Sequence, residues 1–270
     1  MTWSRSLPES VLPVHTYAEL DEYVTAFARG HLNLLIILGP AGVGKSRTLQ
    51  SRVATEACWI DRTATPFGIY MQAWEFRDRP LVLDDVDGLY SNRSGVRLLK
   101  CLCQTDPTKT LSWLTNAAAL DKNGIPKSFV TTSRVAIIAN RWECPNVDVA
   151  ALLDRGHTIS FEPSPVELHQ QAATWFWDQE IFDFVADHLH LIAEHSFRTY
   201  VLAWEKKQAS LDWRQFVLSR LLGGTALEVA RIKAQASFSS EGERVQAFIT
   251  RGHGSRATWF NYAKKLRHVC

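Results

Sequence analysis

Apolar and polar positions divide the chain into two regions of different rhythm. In the first, short apolar runs alternate with segments of helical period. "TYAELDEYVTAFARG" (16–30) carries apolar residues at helical spacing behind Thr16, which predicts a helix capped by that threonine. "NLLIIL" (33–38) is too short and too uniformly apolar for a helix, so it predicts a buried strand. Helical pattern returns in "SRTLQSRVATEA" (46–57), and "CWID" (58–61) predicts the next strand. "FGIYMQAWEFRDR" (67–79) predicts a helix and "PLVLDD" (80–85) a strand that ends in two carboxylates. "GVRLLKCLCQT" (95–105) reads as a helix, "RVAIIAN" (134–140) as a β-branched strand, and "HTISFEP" (157–163) as a last strand stopped by Pro163. Strands alternating with helices predict an α/β fold, a parallel sheet with helices on both faces.

From residue 164 the strand signal fades. Ser164, Pro165 and Glu167 form the opening of a capped helix. Two further capping boxes are predicted, Thr225 to Glu228 and Ser240 to Glu243. The expected organisation is an α/β core over 1–163, a small all-α lid over 164–235 and a short helical element over 236–270.

Composition changes this picture little. The chain of 270 residues is 46% hydrophobic and 21% charged with a net charge of +2, as expected of an ordinary globular protein. No apolar run near the start approaches the roughly 20 residues that span a bilayer, and "MTWSRSLPES" has no apolar leader core, so neither membrane insertion nor secretion is expected. Five scattered cysteines without a C-x-x-C pair fit reduced thiols, and a cytoplasmic location follows from the same features. Nine histidines include His157, His169, His188, His190 and His195, and none has tight metal spacing. They are expected at surface or partly buried positions.

The chemistry concentrates at "GPAGVGKS" (39–46), which fits G-x-x-x-x-G-K-[ST] between an apolar strand and a helix. In that context the backbone N–H groups of Gly39, Ala41, Gly42, Val43 and Gly44 can turn inward around phosphate oxygens, and the following helix directs its positive end at them. Lys45 would reach the outer phosphates of ATP, and Ser46 would give its hydroxyl to Mg²⁺. A metal ion on phosphate also needs a carboxylate at a neighbouring strand end, where Asp84 stands. Asp85 follows where a general base would polarise water, and Asp87 continues the acidic cluster.

The order of these elements resembles that of the AAA+ ATPases over roughly residues 16–208. The resemblance implies ATP binding and hydrolysis, with further roles residue by residue. "VAIIAN" is similar to the family's sensor-1 strand, with Asn140 beside the outer phosphate. "ALLDRGHTISFEP" (151–163) is similar to the stretch in which an arginine, here Arg155, reaches the ATP site of a neighbouring subunit. That role implies a homo-oligomer, a ring or an open spiral. "HSFRTYVLAWEKK" (195–207) places Arg198 where the family has its sensor-2 arginine. The chain departs from the family in the pair Asp84-Asp85, where Asp-Glu is usual, which predicts slow hydrolysis or a switch-like use of ATP. The section around "PLVLDD" also resembles compact ATPases of bacteriophages and mobile elements. "TPFGIYMQAW" (65–74) is the nearest candidate for an aromatic pore loop, but Phe67 and Tyr70 sit at helical spacing and read as core. "TLSWLTNAAALDKNGIPKSF" (110–129) is a long connection that leaves room for a hairpin around Trp113.

The tail adds a second feature. From Arg244 to Cys270 there is no Asp or Glu, and there are six basic residues: Arg244, Arg251, Arg256, Lys264, Lys265 and Arg267. "EGERVQAFITR", "GHG" and "SRATWFNYAKKLR" predict helix, turn and helix, similar to small bacterial DNA-binding domains. Ser255, Arg256 and Thr258 would lie at the start of the second helix near bases and phosphates, with Lys264 and Lys265 on the DNA backbone. Val245, Phe248, Ile249, Trp259, Phe260 and Leu266 are the expected small core. Taken together the sequence predicts an ATPase that works on DNA or on a DNA-bound protein not identified by the sequence. A chaperone-type remodelling ATPase and an ATP-switched DNA-binding regulator remain alternatives.

Overall fold

The computed structural model describes residues 10–53, 56–61, 64–86, 89, 92–114, 117–140, 142, 151–189, 195–222 and 224–266. The chain forms two compact units, 1–163 and 164–270.

The first unit is built on a six-stranded sheet. β1 (Leu12–Val14), β2 (Leu34–Leu38), β3 (Cys58–Ile60), β4 (Leu81–Asp84), β7 (Val135–Ala139) and β8 (His157–Phe161) lie in the order β1-β8-β2-β7-β4-β3. Every pairing is parallel. All five residues of β2 and all five of β7 are buried, so the inner strands appear in the sequence as unbroken apolar runs. Each buried Val, Leu or Ile side chain among them contributes about 1.5–3 kcal/mol of transfer free energy.

The helices of this unit follow from local signals. α1 (Tyr17–Ala28) is closed by the Thr16–Glu19 capping box and buries Tyr17, Leu20, Val24 and Phe27. α2 (Lys45–Val53) starts directly from the glycine loop. α3 (Pro66–Glu75) has Thr65 as its cap and proline in its first turn, and α4 (Arg93–Leu102) is capped by Asn92.

Two features of the first unit add to the strands read from the sequence pattern. β1 pairs with β8 at the sheet edge. The long connection contains an antiparallel pair, β5 (Lys109–Ser112) with β6 (Ser128–Thr131), and a short helix α5 (Ala117–Lys122) between them. Trp113 follows β5 and packs against Phe67 and Tyr70 at centroid distances of 5.6 and 5.7 Å. Tyr70 is fully buried, so this aromatic group belongs to the core.

The second unit is all helical among its described residues: α6 (Pro165–Ala172), α7 (Gln179–His188), α8 (Phe197–Gln208), α9 (Trp213–Leu221), α10 (Gly224–Lys233), α11 (Glu241–Thr250) and α12 (Arg256–Lys265). Ser164, Asp178, Ser196, Asp212, Ser240 and Ser255 cap six of them with side-chain oxygens. The Thr225 capping box does not form, because α10 already begins at Gly224 and Thr225 lies inside it. At Ser240 the cap accepts from the Glu243 N–H, while the Glu243 carboxylate turns to the N–H and hydroxyl of Ser239.

Leu218 of α9, Val229 and Ile232 of α10, Phe248 of α11 and Trp259 of α12 share one core, so the last helices form a single packed group. Two residues expected in that core are outside it. Ile249 is 39% exposed and Phe260 44% exposed. The core face of α12 is set by Trp259, Ala263 and Leu266, and the helical repeat then turns Phe260 outward.

Candidate functional site

The loop after β2 has a backbone that only glycine adopts readily. Gly39, Gly42 and Gly44 have φ of +149°, +80° and +85°. Gly39 is also held by space, since a Cβ there would stand 2.2 Å from the Phe161 carbonyl oxygen. Tyr17, largely buried on α1, donates its hydroxyl to the Val43 carbonyl at 2.8 Å and ties the far side of the loop to the unit. No motif in the sequence marks Tyr17 for this task, since a tyrosine on the core face of a helix reads as packing.

Lys45, the first residue of α2, is only 5% exposed. Its Nζ donates to the carbonyl oxygens of Gly39 and Pro40, both at 2.7 Å, and to Asn140 Oδ1 at 3.2 Å. Asn140 in turn donates from Nδ2 to Asp85 Oδ1 at 2.9 Å. The amide is oriented by both neighbours, because only its oxygen can receive the ammonium and only its nitrogen can serve the carboxylate. Lys45, Asn140 and Asp85 therefore form one hydrogen-bonded series.

Topology explains why these three meet. β2, β7 and β4 are adjacent and parallel, so their carboxyl ends lie on one edge of the sheet. Asp84 closes β4 opposite Ile138, and Asp85 continues the ladder by donating its N–H to the Ile138 carbonyl at 3.0 Å. Asp85 has φ of +53°. That is the left-handed region, which aspartate tolerates better than most residues and which occurs often at functional sites.

Asp84 and Ser46 are both partly buried, at the end of β4 and in the first turn of α2. Both offer hard oxygen donors of the kind Mg²⁺ accepts. No group of three or more His, Cys, Asp or Glu side chains comes together among the described residues. A divalent ion held by these two oxygens would complete its shell with phosphate and water, which fits the preference of Mg²⁺ for keeping waters.

The remaining candidates stand elsewhere. Arg155 donates from Nη1 to the carbonyl of Lys100 near the end of α4, at 3.0 Å. Arg198 is exposed in the first turn of α8, and its N–H donates to the Ser196 cap. Ser255 and Thr258 are bound to each other: their hydroxyl oxygens are 3.0 Å apart, and Ser255 Oγ also accepts from the Thr258 N–H. Arg256, Lys264 and Lys265 are exposed on α12. Asp87, His190 and Arg267 lie outside the described residues.

A polar group inside the second unit carries no sequence signature. The hydroxyl of Tyr200, fully buried on α8, lies 2.7 Å from His169 Nδ1 and 2.9 Å from His195 Nε2. Burial pushes the His195 imidazole down to about 4, with the nearby His169 acting in the same direction. His169 is lowered too, by burial, against a smaller opposing effect of Asp183. His169, expected at the surface or partly buried, is 7% exposed, and His188 is 1% exposed.

A glycine loop and lysine issue from a strand flanked by β8 and β7, and the parallel order β1-β8-β2-β7-β4-β3 with an all-helical region after it is like that of the AAA+ fold. Among curated proteins the chain is similar to an uncharacterized 36.7 kDa protein from the nrdC-mobD intergenic region of Enterobacteria phage T4. The two are 30% identical over 140 residues, 48% of this chain and 41% of the phage protein, so the match spans less than half of that relative. Solved structures with a likeness include NtrX from Brucella abortus in complex with ATP, with a TM-score of 0.43 and 15% identity over 94% of this chain and 68% of that one. PCH-2 from C. elegans gives a TM-score of 0.36 and 13% identity over 74% of this chain and 65% of its own. Neither likeness is close enough to equate individual residues. No family model matches the chain.

Proposed function

We propose that this chain binds ATP with Mg²⁺ at residues 39–46, hydrolyses it slowly, and couples that cycle to DNA or a DNA-bound protein. The observation that carries the reading is the series Lys45–Asn140–Asp85 at the carboxyl edge of the sheet. An ammonium, an amide and a carboxylate are assembled beside a loop with three glycines of positive φ. Lys45 would exchange the Gly39 and Pro40 carbonyls for phosphate oxygens, which a charged donor binds more strongly than neutral carbonyls. Asp84 and Ser46 would hold Mg²⁺, which would neutralise charge on the phosphate oxygens. Asp85 would accept the proton of the attacking water, and Asn140 would orient the carboxylate or the water without competing for that proton. Aspartate is one methylene shorter than glutamate, and the hydrolysis step is accordingly slow.

Two parts of the reading concern the rest of the chain. Arg155 would leave the Lys100 carbonyl and neutralise phosphate charge in a neighbouring subunit, and Arg198 would link the lid helices to the nucleotide. The basic helices at the end would bind the DNA backbone electrostatically. No helix among the described residues is long and apolar enough to cross a membrane.

The test is phosphate release by the full chain with ATP and Mg²⁺, with and without duplex DNA, beside Lys45→Ala and Asp85→Asn. The expected result is turnover stimulated by DNA, lost in both variants. Turnover that persists in Lys45→Ala would sink the assignment of the loop. Turnover indifferent to DNA, with no duplex binding, would remove the DNA part and favour a protein-remodelling role. Light scattering with a non-hydrolysable ATP analogue checks assembly, and a monomer under all conditions would remove the role of Arg155 between subunits.

A further inference from the structure

The surface of α12 carries more chemistry than phosphate binding requires. Trp259, Ala263 and Leu266 point into the core with Phe248. Arg256, Phe260 and Lys264 follow one another at four-residue spacing along a stripe that borders the core face, Asn261 lies next to that stripe on the side away from the core, and all four are exposed. The Arg256 guanidinium lies 5.7 Å from the centroid of the Phe260 ring. No carboxylate occurs from residue 244 onward, so nothing acidic on α12 opposes a polyanion. Ser255 and Thr258 do not supply this face, since their hydroxyls are spent on the cap that starts the helix.

Two members of the set have no use in holding phosphates. Asn261 carries no charge, but its amide presents a donor and an acceptor side by side, which matches the N6 and N7 edge of adenine. Phe260 is a large apolar ring facing water, and the one apolar mark in the major groove is the thymine methyl group. Lys264, one turn further on, and Arg256 at the start of the helix flank these two with positive charge. A helix with this sequence of side chains fits a groove about 12 Å wide. Binding of a single strand would call for several stacking aromatics along a concave groove, and α12 offers one ring on a convex surface. A membrane-surface helix would direct its apolar side outward, whereas that side of α12 is packed against α10 and α11.

We propose, resting on the DNA reading above, that α12 reads base edges in the major groove of duplex DNA. Asn261 is the contact to adenine and Phe260 the contact to a nearby thymine methyl, while Arg256 and Lys264 hold the helix in the groove. The sequence preference then resides in the uncharged pair and the salt dependence in the charged pair.

The experiment selects duplexes from a randomised library with the full chain at about 0.1 M salt, a concentration at which phosphate contacts are already screened beyond roughly 10 Å. Binding of the enriched duplex, a scrambled duplex and anionic phospholipid vesicles is then followed by anisotropy or sedimentation. The wild type should enrich a motif containing adenine and a neighbouring thymine. Asn261→Ala should lose discrimination at one adenine position by about tenfold, and Phe260→Ala should lose it at the thymine. Asn261→Asp keeps the shape of the side chain and should lose the adenine as well. Lys264→Ala should weaken both duplexes alike and lower the salt slope by about 1. Salt-sensitive duplex binding without an enriched motif, or a motif retained by all the Asn261 and Phe260 variants, overturns this inference and leaves the DNA reading standing. No binding to any duplex overturns both, and vesicle binding that exceeds duplex binding replaces the partner with a lipid surface.

Discussion

Acid should weaken the helical unit through His195, and the size of the effect follows from its surroundings. The imidazole is partly buried beside Tyr200 and His169, and its loss of hydration holds it at about 4 against an ordinary value near 6.5. Above pH 6.5 it is neutral in both folded and unfolded chains and exacts nothing. Below that, the unfolded chain takes up a proton that the folded chain refuses, so stability falls as pH falls. The loss accumulates until the folded state itself protonates near pH 4, and by then amounts to about 3 kcal/mol. His169, lowered for the same reason, adds to it with the same sign. The assay is denaturant unfolding at fixed steps from pH 7.5 to 5.0 for wild type and His195→Gln, which cannot titrate. Between pH 6.5 and 5.0 the wild type should lose about 2 kcal/mol more than the variant. Parallel pH profiles for the two proteins would refute the reasoning, because they would mean that His195 binds protons equally in both states. The comparison between proteins matters, since other groups titrate in this range and contribute to both curves.

Three further outcomes follow from the loop and its neighbours. Gly39→Ala should abolish nucleotide binding and destabilise the first unit by at least 1–3 kcal/mol, because its Cβ would meet the Phe161 carbonyl at 2.2 Å and its φ is +149°; binding and thermal unfolding check this. Tyr17→Phe removes the hydroxyl that holds the Val43 carbonyl and should cost about 1 kcal/mol while weakening ATP binding severalfold. Asn140→Ala should lower kcat by about 10²-fold with little change in KM, because it unties Asp85 while leaving Lys45 its two loop carbonyls.

The sheet was legible where burial on both faces makes a strand uniformly apolar, as in "LLIIL" and "VAIIA". It was less so where a strand has three residues and a proline, as in β1, or alternates over only four residues, as in β5 and β6. Pairing with a neighbour decides those elements, and a neighbour is not a local signal. The glycine loop, Lys45, Asp85 and Asn140 could each be named from pattern and order. Their hydrogen bonds could not, because these depend on which strands lie side by side. On α12 the two adjacent aromatics Trp259 and Phe260 differ completely in burial. Composition treats them alike, and only the register of the helix against Phe248 separates core from surface. His195 and Tyr200 lie five residues apart, whereas His169 comes from a separate helix, and its meeting with them is a property of the helical packing.

The central claim is that the loop over residues 39–46, with Lys45, grips the phosphates of a nucleotide. Isothermal calorimetry of the full chain with ATP and with ADP in millimolar Mg²⁺ tests it most directly. The account predicts saturable binding of both that is lost in Lys45→Ala, while Lys45→Arg, which keeps the charge but not the compact ammonium, is strongly weakened. Heat of binding absent in the wild type, or unchanged in Lys45→Ala, would contradict it.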